Sequence, residues 1–230
     1  DLGSKNYKSI NSIKTFYDKI IKYLIFGNVL KNNTYPLSVS SERIIQAIDI
    51  VNYAKSINAN YIAHGSTGAG NDQIRFDMIF QILAPNIKII TPIRDEKISR
   101  KEEIKYLKSN GFNIPWKKAQ YSINKGLWGT SIGGSETLTS NKNLPEKAYP
   151  SKLMKTKSKK ITIEFKHGEL IAVNDKNDNS TNLINKLQKI AKNYAIGRDI
   201  HVGDTIIGIK GRVGFEAAAP VSYTHLTLPT

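Results

Sequence analysis

The chain contains no cysteine, which excludes a disulfide framework, a thiolate metal site and a cysteine nucleophile. Histidine is scarce as well. His64, His167, His201 and His225 lie far apart without ligand spacing, so no metal site is expected. Long apolar runs are missing: Tyr23 to Phe26 falls far short of the roughly 20 residues that span a bilayer, and residues 1–20 are charged with no signal-peptide core. A cytoplasmic protein with no membrane partner is expected. Acidic residues are the other shortage, 19 against 34 lysines and arginines, for a formal charge of +15. The lysine excess is dispersed; only Lys152, Lys155, Lys157, Lys159 and Lys160 form a dense run, which reads as a solvated connector. Nucleic-acid binding is therefore the secondary reading, and polyanionic substrates are the more economical one.

What remains is a chain of 230 residues, 40% hydrophobic, long enough for one large domain or two ordinary ones. Ser40 or Ser41 can cap a helix running to about Ser56, with Ile44, Ile45, Ile48, Val51 and Ala54 on one face. A short strand, Tyr61 to Ala63, precedes a glycine loop. A helix from about Asn71 to Leu83 follows, with Ile74, Met78 and Ile82 as its apolar stripe. Ile87 to Ile90 reads as a short buried strand, and Ser99-Arg100-Lys101-Glu102 as a capping box opening a helix that stops at Gly111. Alternation of this kind predicts an α/β fold with a parallel sheet covered on both faces. From about Ile114 the texture changes to Pro, Trp, Gly, Ser and Asn. Regular patterning resumes with a hairpin, Ile161 to Phe165 and Leu170 to Val173, turning at His167-Gly168, then a helix from Ser180 to Ala195 stopped by Gly197, and a strand from Thr205 to Lys210. The second region thus reads as α+β. The division expected is 1–115 for a nucleotide-binding domain, 116–220 for a second domain, and 221–230 for a tail.

The most informative stretch is HGSTGAGND, His64 to Asp72. A loop between a parallel strand and a helix N-terminus is a natural anion site, because free N–H groups and the positive end of the helix dipole point to one place. The glycines Gly65, Gly68 and Gly70 permit close backbone approach and positive φ. It is not a Walker motif, since Asn71-Asp72 stand where Lys-Ser/Thr belongs, nor a dinucleotide fingerprint, since Gln73 replaces the third glycine. Thr67, Asn71, Asp72 and Arg75 crowd around the first helical turn. Asp72 can pair with an α-ammonium while Arg75 grips a carboxylate; the alternative is a plain Asp72–Arg75 ion pair on the helix surface.

The stretch HGSTGAGNDQIRFD resembles the signature of the argininosuccinate synthase family, as do YPLSVSSER (Tyr35 to Arg43), YSINKGLWGTS (Tyr121 to Ser131) and GIKGRVGFEAAAP (Gly208 to Pro220), in the family's order. The resemblance implies a nucleotide-binding domain of the ATP-pyrophosphatase type followed by an α+β synthetase domain, in a homotetramer. It implies an enzyme of arginine biosynthesis that ligates citrulline and aspartate through a citrullyl-adenylate, using ATP with Mg as its counter-ion and releasing AMP and pyrophosphate. Carried over by resemblance, citrulline is contacted by Tyr35, Ser40, Asn71, Arg75, Ser122, Ser131 and Glu216, aspartate by Thr67, Asn71 and Asp72, and ATP by the backbone of Gly65 and Gly68; no residue is singled out as catalytic. Another adenylating synthetase of the ATP-pyrophosphatase group is the enzymatic alternative.

Two departures from the family pattern stand out: Ala69 where lysine is frequent, and Phe215 where tyrosine is frequent. The family's pyrophosphate loop is expected upstream of Asp1, so the chain as given is expected to lack turnover. The closing VSYTHLTLPT matches one reading frame of a common sequencing-library adapter, and Val221 to Thr230 is expected to be read-through.

Overall fold

The computed structural model describes residues 6–31, 35–68, 70–112, 121–204 and 210–226. Ala69, the stretch 113–120, most of the strand expected at Thr205 to Lys210, and the end of the tail lie outside them. The chain opens with a helical run, α1 (Ile13–Phe16), a π-helical turn (Tyr17–Ile21) and α2 (Lys22–Phe26), then a minimal hairpin, β1 (Leu30–Lys31) with β2 (Tyr35–Pro36). The α/β part follows as α3 (Val39–Ser56), β3 (Tyr61–Ala63), α4 (Asp72–Leu83), β4 (Lys88–Ile90), α5 (Pro92–Asp95) and α6 (Arg100–Ser109).

Strands β3 and β4 pair in parallel, Ile62 opposite Ile89, with α3 and α4 packed on one face. Ala47, Val51, Ala54, Ile62 and Phe80 form the core between them. Two sequence expectations need correction. Among the described residues the parallel sheet is covered on one face only, so Ile90 is exposed and β4 is half-buried rather than buried. The stripe expected on α4 also faces the wrong way: Met78 and Ile82 are 45% and 66% exposed. Phe76 and Phe80 stack at 5.8 Å and His64 packs on both, so the larger aromatic surfaces take the core face instead. The capping box at α6 forms as expected, with Ser99 Oγ accepting from the Glu102 amide and Glu102 accepting from the Ser99 amide.

The second part contains β5 (Ser122–Gly126), β6 (Gly129–Gly133), β7 (Ile163–Lys166), β8 (Glu169–Val173), β9 (Lys176–Asn177), α7 (Ser180–Ala191), β10 (Arg198–Asp204), β11 (Lys210–Glu216) and α8 (Ala218–Leu226). An antiparallel sheet runs β10-β11-β6-β5, and a second runs β7-β8-β9. The β7–β8 turn has positive φ at both His167 (50°) and Gly168 (78°), the type I′ geometry whose twist suits a two-residue hairpin. Lys152 to Lys160 is exposed and irregular, as a solvated connector should be.

The largest core brings distant segments together. Phe16, Ile21 and Ile25 of the opening helix pack with Leu170, Leu183, Leu187 and Trp128. Helix α8 extends into the segment read from sequence as a foreign tail, and Tyr223 within it is 2% exposed, edge-on to Trp128 (5.1 Å) and Phe165 (5.4 Å).

Two glycines at positive φ separate conformational strain from crowding. At Gly197 (φ 76°) a Cβ would fall 2.6 Å from the Ala217 carbonyl carbon and oxygen, whereas at Gly111 (φ 84°) it would meet nothing within 4 Å. Gly111→Ala should therefore cost about 1–2 kcal/mol from left-handed strain, and Gly197→Ala about 1–3 kcal/mol more from overpacking. Denaturant midpoints of the two variants measure the difference.

Candidate functional site

Helices α3 and α4 point their N-termini into one cavity of about 560 Å³, closed on the far side by the β5-β6-β11 sheet. From the loop and α4 it is lined by Thr67, Asn71, Asp72 and Arg75, from α3 by Ser40, and from the sheet by Ser122 and Ser131. Register explains the sheet's contribution. Asn124 lies opposite Ser131, and Ser131 opposite Phe215, so these side chains share a face with Ser122, two residues along β5.

The same period of two separates Glu216 from the group. It pairs with Thr130 and turns to the opposite face of the sheet, where it is 3% exposed. There it accepts from Ser151 Oγ (2.7 Å) and stands 3.4 Å from Arg198 Nε. Gly65 and Gly68 do not line the cavity either; their missing Cβ positions face Ile93 and Arg94, and neither glycine uses positive φ. Tyr35 is placed in β2, but its side chain lies outside the described residues. Ser40 is not a helix cap: α3 begins one residue earlier, after Ser38, while Ser41 Oγ donates to the carbonyls of Leu37 and Ser38. Phe215 is buried at the cavity wall, edge-on to His201.

Asp72 is the electrostatic centre. Arg75 Nη1 donates to its Oδ1 at 2.7 Å, and Arg43 Nε donates to its Oδ2 at 3.1 Å. The surface ion pair read from the i,i+3 spacing is thus real, but it is extended by a residue the sequence reading passed over. Arg43 also donates to Gln46 Oε1 and, from Nη2, to Asn124 Oδ1 at 2.9 Å, so one guanidinium ties α3 to α4 and to β5. Its position in YPLSVSSER, just before the apolar face that begins at Ile44, offered no periodic signal. Arg212 was passed over too; the residue borders the cavity, and its side chain donates to the carbonyls of Thr139 and Lys142, pinning that loop to β11.

The glycine loop is braced from behind. Gln73 Nε2 donates to the Gly68 carbonyl, and Arg94 Nη1 donates to Gln73 Oε1 (3.1 Å) and Asp77 Oδ2 (2.5 Å). The Ser66 amide donates to His64 Nδ1, which fixes the proton on Nε2, facing Asp77 at 2.9 Å. Beside Arg43, burial raises the Glu42 carboxyl above the usual carboxylate range against the opposing pull of Arg43 and Gln46. Glu42 lies so close to β5 that a Cβ at Gly126 would fall 1.8 Å from its Oε2.

Two measurements follow from these contacts. Arg43→Lys keeps the charge but cannot reach three acceptors on separate elements; it should cost about 1–3 kcal/mol in urea unfolding, with coupling to Asn124→Ala in a double-mutant cycle. Because folded Glu42 keeps its proton to higher pH than the unfolded chain does, its contribution to stability falls as pH rises from the unfolded value of 4.5 through the raised folded one. Glu42→Gln should therefore raise the melting temperature at pH 7, and the gain should vanish below about pH 4.

Comparison with known proteins matches this arrangement to one family. Residues 1–113 match the model of the arginosuccinate synthase N-terminal HUP domain, and residues 121–227 that of the arginosuccinate synthase C-terminal domain. The argininosuccinate synthase of Sulfurisphaera tokodaii is 36% identical over 218 residues, 94% of this chain and 56% of that protein. That of Methanocaldococcus jannaschii is 37% identical over 223 residues, 96% of this chain and 56% of that protein. That of Dictyoglomus turgidum is 37% identical over 221 residues, 95% of this chain and 56% of that protein. The chain spans about half the length of the curated relatives it matches. A parallel α/β unit followed by an antiparallel-sheet unit, matched in order by both halves of one family, makes the chain a member of the argininosuccinate synthase family.

Proposed function

We propose that this chain supplies the amino-acid-binding part of an ATP-dependent ligase joining citrulline to aspartate. The citrulline ureido oxygen attacks the α-phosphorus of ATP, and pyrophosphate leaves. The aspartate amine then attacks the ureido carbon of the resulting citrullyl-adenylate; AMP departs with the former ureido oxygen as the new carbon–nitrogen bond forms and the amine loses its proton. Neither step passes through a covalent bond to the enzyme, so positioning and charge stabilisation carry the acceleration.

In this reading Arg75 grips the citrulline carboxylate, with Tyr35, Ser40, Ser122 and Ser131 as further citrulline contacts; Glu216, turned to the far face of the sheet, is not one of them. Asn71 lies between the two amino acids, Thr67 and Asp72 hold aspartate, and the backbone of Gly65 and Gly68 meets the nucleotide, whose phosphates bring Mg as counter-ion. The whole protein works as a cytoplasmic homotetramer.

The observation that carries the reading is the convergence of Asn71, Asp72 and Arg75 with Ser40, Ser122 and Ser131 on a cavity of about 560 Å³, within the usual range for small-molecule sites. Arg75 engages Asp72 through Nη1, and a guanidinium has further donors with which to hold a carboxylate. Arg75→Ala should weaken citrulline binding about 10- to 100-fold, the worth of a hydrogen-bonded charge, with a smaller effect on aspartate. Titration calorimetry with each amino acid reads both affinities; citrulline binding indifferent to Arg75 would remove the assignment.

A further inference from the structure

We propose that a second, smaller cavity, on the back of the β5-β6-β11 sheet, is a binding site for inorganic phosphate, which Glu216 recognises by the proton that phosphate keeps at neutral pH. The cavity holds about 140 Å³, several times the share of one water in the liquid, about 30 Å³. Strand register builds one wall. Lys125 lies opposite Thr130, and Thr130 opposite Glu216, so the three side chains form a row across β5, β6 and β11 on the face away from Ser131. Asn185, Gln188 and Lys189 of α7, with Lys192 just past its end, form the other wall at helical spacing. The site shares no residue with the amino-acid cavity and stands apart from the reaction proposed above.

Two buried polar groups are left open to it. Glu216 is 3% exposed and makes its contacts through Oε2, which accepts from Ser151 Oγ (2.7 Å) and the Ser151 amide (3.4 Å) and stands 3.4 Å from Arg198 Nε; Oε1 takes part in none of these. Thr130 is 4% exposed, and its hydroxyl makes no hydrogen bond among the described residues. Unmatched groups of this kind are rare in a folded interior. Neither atom is sealed from solvent as Arg198 Nε is, and the cavity they line is the opening left to them.

What the walls offer is several donors and one carboxylate acceptor. Gln188 Oε1 accepts from the Ala219 amide (2.8 Å), which leaves Nε2 to donate. Lys125, Lys189 and Lys192 add three cations, and the cation beside Glu216 is Arg198 rather than one of these. An ammonium ligand would face the three lysines, and a fully ionised oxyanion would press an unprotonated oxygen against Glu216 Oε1. Phosphate meets both demands. Its ionised oxygens take the lysines, the Thr130 hydroxyl and Gln188, while its remaining P–OH donates to Oε1. Sulfate has the same shape and no proton to give.

The test is calorimetric titration of the 230-residue chain at pH 8 and constant ionic strength with inorganic phosphate, sulfate and methyl phosphate, beside thermal melts. Inorganic phosphate keeps one proton there, whereas a phosphate monoester has lost its last at about pH 6. Phosphate is expected to bind one per chain, about tenfold or more tightly than the other two, and to raise the melting temperature. Thr130→Val removes only the hydroxyl and is expected to weaken phosphate binding about tenfold. Glu216→Gln, which replaces the acceptor by an amide, is expected to bring phosphate and sulfate to equal affinity; where its melt shows that loss of the Arg198 contact has unfolded it, the Thr130 variant decides. Absence of phosphate binding, sulfate or methyl phosphate binding as tightly as phosphate, or phosphate affinity indifferent to Thr130→Val overturns the site. None of these outcomes bears on citrulline binding, so the proposed function stands or falls separately.

Discussion

One guanidinium holds the two halves of this molecule in register at the cavity. Arg43 reaches Asp72 on α4 and Asn124 on β5 from a half-buried position on α3, so the acid beside the glycine loop and the serine-bearing hairpin share an anchor. Asp72 in turn receives Arg75. A carboxylate between two guanidiniums stays oriented, because rotation to favour one partner breaks the hydrogen bond to the other. The loop behind it is fixed independently through Gln73 and Arg94. The cavity's charged groups are thus positioned by contacts that do not involve a ligand, the condition for preorganisation.

The α/β part was legible because its elements carry local signals. The capping box at Ser99, the strand–glycine–helix transition at His64 to Asp72, and Gly111 at φ 84° each encode their geometry within a few residues. The hairpin β5–β6 was not legible. Its strands read Ser-Ile-Asn-Lys-Gly and Gly-Thr-Ser-Ile-Gly, with polar residues on the face that lines the cavity, so the usual apolar alternation of a half-buried strand is absent. The stripe on α4 was misread for the opposite reason. Aliphatic and aromatic residues both recur at helical spacing there, and only the position of His64 beside Phe76 and Phe80 decides which set is inside.

Site residues show the same division. Those on the loop and first turn of α4 could be grouped from spacing, since i,i+3 and i,i+4 neighbours meet on a helix. Ser122 and Ser131 could be joined to them only through family resemblance, because the contact depends on strand register. Register also separates Phe215 from Glu216, which are adjacent in sequence and lie on opposite faces of β11. The Glu216 face has a network of its own: Arg198 donates to Glu146 (2.7 Å), lies over the Tyr149 ring (4.6 Å) and approaches Glu216. Glu146 is accordingly held below the usual carboxylate range, first by its hydrogen bond from Arg198. That network ties the segment around Ser151 to the back of the sheet whose front forms the cavity wall.

Helix α3 explains why the two cores cannot shift separately. Ile45 is buried among the opening helix, α7 and Trp128, while Ala47, Val51 and Ala54 are buried against β3 and α4. A helix buried on two sides has little freedom to translate, because close-packed interiors resist the loss of contacts on either side. Its N-terminus, carrying Ser38, Val39 and Ser40, is the part that enters the cavity. Displacing that terminus by an ångström would disturb both cores and the Arg43 bridge together. The helix-end amides are therefore as fixed as the core itself, and electrostatic stabilisation by fixed dipoles needs no reorganisation when a charged group arrives.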